Sequence, residues 1–363
     1  MYNIFKKIDW VLAGAAFLLT LFGIVMLVGM AFNNAYFFIH VYKQLFAFAL
    51  GIGIMIGIAF FDYRFFRNNS YAVLLCYGGI LLFLILLLFF GQSTRGLVGW
   101  FKIGIFAFGP VEFLKIVLIL LFAKFFSLRH VEMYRFSHLF LSFVYVGIPC
   151  ALVLLQPDLG SALILVAIWL SLLLFAGISK QQLLFFLFCG VSVSWIAWIT
   201  ILKEYQKSRI LSFFNPYHDP QGSGYNVIQS LMTIGDGGWW GRGLGQGSQI
   251  QLGFLPEAHT DFMFASIGQE FGFMGSALVL LLLIVILWRI VVVALHTDNN
   301  FARLFCIGMM LLITIQVAVN MGMNIGWMPV IGIAFPFLSY GGSHLVAFFF
   351  GLGLVQSIWV RRI

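Results

Sequence analysis

Charged side chains are scarce in this chain: Asp, Glu, Lys and Arg together make up 9% of its 363 residues, whereas 62% are hydrophobic. A soluble domain carries about 25% charged residues, so the composition excludes an ordinary soluble enzyme, a disordered chain and a nucleic-acid-binding protein. Cysteine is rare too. No CxxC pair is present, and all four cysteines lie inside apolar runs: Cys76, Cys150, Cys189 and Cys306. Both observations exclude a zinc site and a disulfide scaffold.

Long apolar runs dominate instead, with 43 Phe residues and a mean hydropathy of +1.05. A membrane-spanning helix uses about 20 apolar residues. The run from Trp10 to Met30 follows Lys6-Lys7 but exceeds the ~7–15 residues of a signal-peptide core, so we expect it to be retained. The sequence predicts an all-α integral membrane protein, one polytopic domain over residues 1–363, with about ten spans near 10–31, 44–60, 71–90, 110–126, 138–155, 159–178, 183–202, 262–288, 304–322 and 343–360.

The distribution of cations predicts the orientation of these spans. With the N-terminus inside, the cytoplasmic segments hold most of the 20 Lys and Arg residues and only four acids, namely Asp9, Asp62, Glu132 and Asp298. The whole net charge of +8 then lies on the cytoplasmic side, as the positive-inside rule requires. We therefore expect both termini in the cytoplasm and the remaining acids in the external half.

One predicted loop is long. Residues 203–261 form a large extracytoplasmic loop between spans 7 and 8, and loops of this length are functional or disordered. Its aromatic residues argue against disorder, and Val227, Leu231 and Ile234 follow helical spacing, which predicts a short interfacial helix. Its many glycines indicate tight turns or close approach of the backbone to a ligand.

Two of the charged clusters near spans also have plain structural interpretations. Glu112 and Lys115 share a helix face just after Pro110, so they either serve a polar site or neutralise each other as an orienting pair. Asp158 lies in the short external turn Gln156-Pro157-Asp158. There it is expected to cap the sixth span, a role that alone explains its presence.

The third cluster combines Glu257, His259 and Asp261 with Glu270, which lies inside the eighth span. On a helical turn Glu257 and Asp261 would face the same way, with His259 beside them. Three acids at one membrane boundary repel each other unless a cation lies among them. This pattern favours a charged substrate or a divalent cation, Mg²⁺ or Mn²⁺, at Glu257 and Asp261.

The fourth cluster, residues 320–343, contains Asn, Pro, Gly, Ser and Tyr residues within an otherwise apolar stretch. Irregular backbone at membrane depth is tolerated where it lines a cavity or is buried in protein. External cations could meet an anionic head group, although arginines at an interface also simply extend toward water. These cations are Arg95, Lys102, Arg209 and Arg242.

Three motifs make the chain resemble the SEDS family (shape, elongation, division and sporulation) of bacterial cell-wall polymerases. They are residues 219–225 (DPQGSGY), 251–262 (QLGFLPEAHTDF) and 336–343 (PFLSYGGS). The resemblance covers nearly the whole chain, and the lack of long terminal extensions favours the RodA branch over FtsW. Ala258, Gly109-Pro110-Val111 and His344 depart from the family pattern, which leaves the finer substrate contacts open.

The resemblance implies a peptidoglycan glycosyltransferase in the bacterial cytoplasmic (inner) membrane that polymerises lipid II during cell elongation. Asp261 is then the catalytic residue. It also implies a class B penicillin-binding protein and other elongation-complex membrane proteins as partners, membrane lipid around the spans, and no organic cofactor. The expected substrate-binding residues are Glu257, His259, Glu112, Lys115, Asp158, Arg95, Trp100, Arg209, Arg242, Glu270 and Ser343.

Three other functions remain open from the sequence alone. A flippase for the same lipid precursor would also use charged groups and broken helices, but the acids lie on one side and no inverted repeat is visible. A scaffold that only holds a partner enzyme would not need Asp261. A division polymerase of the FtsW type would share every motif above.

Overall fold

The computed structural model describes residues 5–32, 37–94, 97–104, 106–129, 136–200, 204–222 and 224–362. Long apolar helices coincide with all ten predicted spans. They are α1 (Trp10–Ala31), α2 (Phe38–Phe60), α4 (Ser70–Phe90), α5 (Pro110–Arg129), α6 (Phe136–Leu155), α7 (Leu159–Phe175), α8 (Lys180–Thr200), α12 (Met263–Leu295), α13 (Asn300–Asn324) and α14 (Gly342–Val360), with a short α3 (Arg64–Asn68) after α2.

These helices confirm an all-α, multi-pass membrane protein. Among the described residues, seven helices have the length and apolar composition of membrane spans, and α7 is apolar but shorter. The even number of long helices brings the start of α1 and the end of α14 to the same end of the bundle. At that end the Asp9 carboxylate accepts a hydrogen bond from Arg289 at 2.7 Å. The main-chain amide and carbonyl of Asp9 both bond to the side-chain amide of Gln356.

A small antiparallel sheet between α4 and α5 was not predicted. It contains β1 (Gln92–Thr94), β2 (Leu97–Ile103) and β3 (Phe106–Phe108), ordered β1-β2-β3. Phe101 pairs with Phe108 and Ile103 with Phe106. The sheet leads directly into Gly109 and the first turn of α5. It therefore fixes the position of that turn, which carries Glu112.

The segment between α8 and α12 folds into short helices rather than one open loop. It contains α9 (Glu204–Phe214), a 3₁₀ turn (Pro216–His218), α10 (Tyr225–Gly237) and α11 (Ser248–Gln251). The predicted amphipathic helix is confirmed as α10, which buries Val227 and packs Ile234 against the core. The Ser230 hydroxyl donates to the Asn324 carbonyl at 2.7 Å, so α10 is tied to the end of α13.

Residues 325–341 form an irregular segment between α13 and α14, and we call it the Pro/Gly segment. Phe335, Phe337 and Leu338 in it are fully buried, which satisfies the rule that non-helical backbone at membrane depth must lie within protein. Helix α1 approaches it at Gly23, where any Cβ would overlap the Leu338 main-chain oxygen. Glycine is therefore required at this position for the two segments to pack so closely.

Candidate functional site

Asp261 lies in a series of tight turns immediately before α12, not on a helical turn. The amides of Thr260 and Phe262 both donate to the Glu257 carbonyl, at 3.1 and 3.2 Å. The Thr260 hydroxyl also donates to the Glu257 carboxylate at 3.0 Å. Glu257 has a φ of +53°, a conformation that costs a non-glycine residue energy and that persists only where the surroundings enforce it.

Those surroundings are the end of α13 and the Pro/Gly segment, which hold three consecutive main-chain carbonyls of this loop. The Tyr340 amide donates to the His259 carbonyl at 2.9 Å, and the Ser339 hydroxyl donates to the Thr260 carbonyl at 2.5 Å. The Asp261 carbonyl accepts from the side-chain amides of Asn320 and Asn324, at 2.9 and 3.0 Å. The backbone that carries Asp261 is thus fixed residue by residue.

The two asparagines also connect the loop to its neighbours. Asn324 accepts the Ala265 amide at 3.0 Å near the start of α12, and Asn320 donates to the Ile333 carbonyl at 2.7 Å. Asp261 itself is half-buried, and a Cβ built on Gly332 would lie 3.3 Å from its Oδ2. Gly332 has a φ of +73°, so this position favours glycine on two grounds.

The short turn around Asp158 reaches the same Pro/Gly segment. The Asp158 carboxylate accepts the Ser161 amide at 2.9 Å, so it caps α7 as predicted. A Cβ on Gly160 would lie 2.7 Å from the Ile331 carbonyl, next to Gly332. Asp158 therefore acts on the site indirectly: it stabilises a turn that packs against the Pro/Gly segment, and that segment in turn lies beside Asp261.

Two residues of α2 belong to the site and were missed by sequence reasoning. The buried Gln44 side chain donates to the Ser339 carbonyl at 3.3 Å and accepts the Gly341 amide at 3.1 Å. The ring of His40 lies 4.8 Å from the Tyr340 ring and 5.2 Å from the His259 ring, centroid to centroid. Gln44 could have been noticed, because with Lys43 it stands at the start of a predicted span, where polar side chains are costly and rarely without a role.

Glu112 and Lys115 form the predicted pair: the Lys115 ammonium donates to both Glu112 oxygens, at 2.9 and 3.0 Å. Lys115 is buried, and pairing offsets much of the cost of placing its charge there. His344 lies 3.9 Å from the Glu112 carboxylate and 3.3 Å from the Gln316 side-chain oxygen. The departure from the family pattern at 344 thus adds an imidazole directly beside this pair.

Ser343 and Trp100 lie where the small sheet enters α5. The Ser343 hydroxyl accepts the Gly109 amide at 3.0 Å and donates to the Ala107 carbonyl at 2.7 Å. The Trp100 ring covers Gly109, where a Cβ would lie 3.2 Å from the ring. Ser343 therefore connects the start of α5, which carries Glu112, to the first turn of α14, and Trp100 packs the sheet against the same start of α5.

Arg242 lies beside α10, whereas Glu270 lies on α12 and faces Gly29 of α1. Arg242 forms an ion pair with Asp236 at 2.5 Å, and the Gln269 side chain donates to the same carboxylate at 2.9 Å. Glu270 is buried against Gly29 and Leu244. Within the described part of the chain neither of its carboxylate oxygens has a hydrogen-bond partner.

Three predicted cations lie beyond what the structure describes: Arg95 is outside the described residues, and the side chains of Lys102 on β2 and Arg209 on α9 are not described. Within the described ranges, no group of three or more His, Cys, Asp or Glu side chains is close enough to hold a metal ion. Glu257 and Asp261 would therefore have to share a cation with oxygens of another molecule.

Comparison with known proteins places this geometry in a family. The model of the cell cycle proteins FtsW, RodA and SpoVE matches residues 9–362. The chain belongs to the FtsW/RodA/SpoVE family. Stage V sporulation protein E of Bacillus subtilis is 34% identical over 90% of this chain and 88% of its own. Peptidoglycan glycosyltransferase MrdB of Escherichia coli K12 is 34% identical over 86% of this chain and 84% of its own.

Two solved structures resemble this chain over nearly its whole length. A chain of a peptidoglycan synthase complex, solved for the coordination of polymerization and crosslinking, shares 32% identity and a TM-score of 0.82, covering 98% of both chains. The rod shape determining protein RodA of Thermus thermophilus shares 29% identity and a TM-score of 0.72, covering 98% of this chain and 97% of its own. The family fold therefore includes the loop, the Pro/Gly segment and α5.

The asparagine contacts predict a stability effect. Asn324→Leu keeps the branched shape of the side chain but leaves the Ala265 amide without its acceptor, and an unsatisfied buried group costs about 1–3 kcal/mol. We expect a lower midpoint of thermal unfolding in detergent. Asn300→Leu, at the exposed start of the same helix, is the matched control and should stay within about 0.5 kcal/mol of the native protein. Equal midpoints for the two variants would contradict the assigned role of Asn324.

The Asp236 contacts predict a pH dependence. Hydrogen bonds from Arg242, and next from Gln269, lower the pKa of Asp236. A lowered folded-state pKa gives stability that is present above the unfolded pKa near 4 and is lost as pH falls through the folded value. Arg242→Gln should therefore reduce stability at pH 7 by less than about 1 kcal/mol, since the pair is exposed.

The difference between native protein and Arg242→Gln should shrink as the pH falls below about 4. Thermal unfolding across a pH series measures it. Lys207→Gln removes another surface ion pair, the one with Glu204, and serves as the control. A difference that does not change with pH would show that Arg242 acts through packing and not through the Asp236 charge.

Proposed function

We propose that this chain is a peptidoglycan glycosyltransferase that polymerises lipid II, with Asp261 as its general base. The observation that carries the proposal is a half-buried carboxylate on a backbone held at three consecutive carbonyls. Catalytic groups require such fixed positions, because small displacements cost large factors in rate. The names of the relatives, which include peptidoglycan glycosyltransferases, support the same conclusion.

The reaction joins two lipid-linked disaccharides. The Asp261 carboxylate takes the proton from the 4-hydroxyl of one sugar while that oxygen forms a bond to the anomeric carbon of the other. The bond from this carbon to the pyrophosphate breaks, and its electron pair leaves with undecaprenyl pyrophosphate. One displacement inverts an α-linked donor to a β-linkage. General base catalysis of this kind contributes about 10²–10⁴-fold.

The leaving pyrophosphate is a weak base, so no second carboxylic acid is needed to protonate it, in contrast to a glycosidase. It needs positive charge nearby. Lys115 and Arg242 each bond to an acid of this chain, so they offer partly neutralised charge. Arg95 and Arg209 are the further cations that we propose to face the pyrophosphate.

We also propose that a divalent cation, Mg²⁺ or Mn²⁺, binds at Glu257 and Asp261. The donor set fits, because Mg²⁺ is commonly held by one or two carboxylates together with substrate phosphates. Such an ion would supply charge stabilisation to the leaving group. No organic cofactor is proposed.

For the cellular role we propose elongation, on the strength of the likeness to RodA over 98% of the chain. A class B penicillin-binding protein is the proposed main partner, because the most similar of the structures compared above comes from a complex that coordinates polymerization with crosslinking. Rescue of a division-defective strain but not of an elongation-defective one would contradict the assigned role.

For the orientation we propose the inner membrane of a bacterium, with both termini in the cytoplasm and Asp261 outside. The support is the positive-inside rule: the end of the bundle with both termini carries most of the Lys and Arg residues. Asp158 and the loop before α12 lie at the opposite ends of their helices, where the precursor would be presented.

The base assignment predicts the effect of Asp261→Asn. The amide has nearly the same shape but cannot take the proton, so polymerisation of purified lipid II in detergent should fall by at least about 10²-fold. Asp298→Asn, in the exposed turn after α12 at the other end of the helix, is the matched control and should keep full activity. Transport has no meaning in detergent, so product formation there also separates a polymerase from a flippase.

The cation proposal predicts a separate result. Excess chelator should abolish polymerisation by the native protein, and added Mg²⁺ or Mn²⁺ should restore it. Undiminished activity in chelator would contradict a metal at Glu257 and Asp261, and would leave charge stabilisation to the arginines and Lys115 alone. It would leave the role of Asp261 as base intact.

A further inference from the structure

An apolar groove lies on the lipid-facing side of the bundle, near the end that carries both termini. Its volume is about 180 Å³, and its walls come from α1, α2 and α14. Gly14 forms part of the α1 wall, while Ile52 and Ile56 line it on α2. We call it the terminal-end groove. It lies at the opposite end of these helices from Gln44 and the Asp261 loop.

The groove offers its occupant almost no hydrogen bonding. Gln356 is the polar side chain in its lining, and both ends of its amide are already used. Its oxygen accepts the Asp9 amide at 3.0 Å, and its nitrogen donates to the Asp9 carbonyl at 2.9 Å. A hydrocarbon chain suits such walls, because its transfer there breaks no hydrogen bonds.

The end of the groove beside Ile8 and Ala59, which we call its mouth, is cationic. The Arg361 guanidinium donates to the carbonyls of Ala59 and Phe60, at 3.0 and 2.5 Å, and Ala59 lines the groove. Lys6 and Lys7 directly precede the lining residue Ile8. Arg362 lies over the Trp359 ring, one residue from Arg361.

The acids at this end do not balance these cations. Asp9 pairs with Arg289 at 2.7 Å, and Asp62 lies 3.6 Å from Arg361. Arg64 adds a further cation, since its guanidinium donates to the Arg361 carbonyl at 3.5 Å. In the described part of the chain, its buried Nε has no hydrogen-bond partner. An anionic group at the mouth would meet a surplus of positive charge.

We propose that the terminal-end groove binds one acyl chain of an anionic phospholipid, whose phosphate is held by the cationic cluster at the mouth. The apolar walls explain the chain and the surplus of cations explains the head group, so one lipid molecule accounts for both. Phospholipids with anionic head groups interact with Lys and Arg at the cytoplasmic surface. The site is independent of Asp261 and of the proposed reaction.

Two glycines with the same surroundings make the test specific. A Cβ at Gly14 or at Gly53 would have no atom within 4 Å, so both positions accept a larger side chain without displacing the backbone. Only Gly14 lines the groove. Gly14→Phe should fill it, and Gly53→Phe is the matched control. Gly14→Leu is the smaller substitution, to be used if Gly14→Phe does not fold.

The experiment is native mass spectrometry of the delipidated protein with dioleoyl phosphatidylglycerol or dioleoyl phosphatidylethanolamine, which share their acyl chains. We expect one tightly held phosphatidylglycerol in the native protein and in Gly53→Phe, and its loss in Gly14→Phe. Removal of cations in Lys7→Gln and Arg362→Gln should weaken phosphatidylglycerol about fivefold each, and leave phosphatidylethanolamine unchanged. Lys180→Gln, at the start of α8, is the charge control.

Two results would overturn the proposal. Equal retention of phosphatidylglycerol by Gly14→Phe, Gly14→Leu and the native protein would show that the chain does not enter the groove. Equal affinity of the native protein for the two lipids would show that the cations do not select an anionic head group.

Discussion

The candidate site depends on hydrogen bonds to three consecutive main-chain carbonyls, those of His259, Thr260 and Asp261. Each net hydrogen bond contributes only about 0.5–1.5 kcal/mol. Together they restrict the conformation of the loop, and they hold it in place although Glu257 adopts an unfavourable left-handed conformation. A carboxylate on this backbone can act repeatedly from one position.

The membrane explains why this arrangement takes the form it does. Irregular backbone is costly in lipid, so the Pro/Gly segment must find all its partners within the protein. Gln44 of α2, Asn320 of α13 and Ser339 of the segment itself provide them. Close packing at Gly23 and Gly160 then brings α1 and the α6–α7 turn onto the same segment. Several helices thereby converge on one short stretch of chain.

Charges inside the bundle follow the same constraint, because an unpaired buried charge is expensive. Lys115 bonds to both oxygens of Glu112, and Arg289 pairs with the buried Asp9. Glu270 differs, since in the described part of the chain its buried carboxyl has no hydrogen-bond partner. Its place on α12, beside Gly29 of α1, is shown, whereas a role in binding substrate stays a prediction.

Much of the architecture could be predicted because it depends on local patterns. The spans follow from the length of the apolar runs, the Asp158 cap from its place before α7, and the Glu112–Lys115 pair from helical spacing. The contacts of Gln44 and His40 could not be predicted, since their partners lie about 300 residues away in sequence. The small sheet was missed because β1 and β3 have only three residues each, and the seven residues of β2, LVGWFKI, do not alternate between apolar and polar.

The measurement that tests the central claim most directly is hydrogen–deuterium exchange of the native protein over residues 257–262. The account predicts that the amides of Thr260 and Phe262 exchange slowly, at rates close to those of the buried α13. Exchange as fast as that of the exposed turn residue Asp298 would contradict it, because the loop that carries Asp261 would then be free to move.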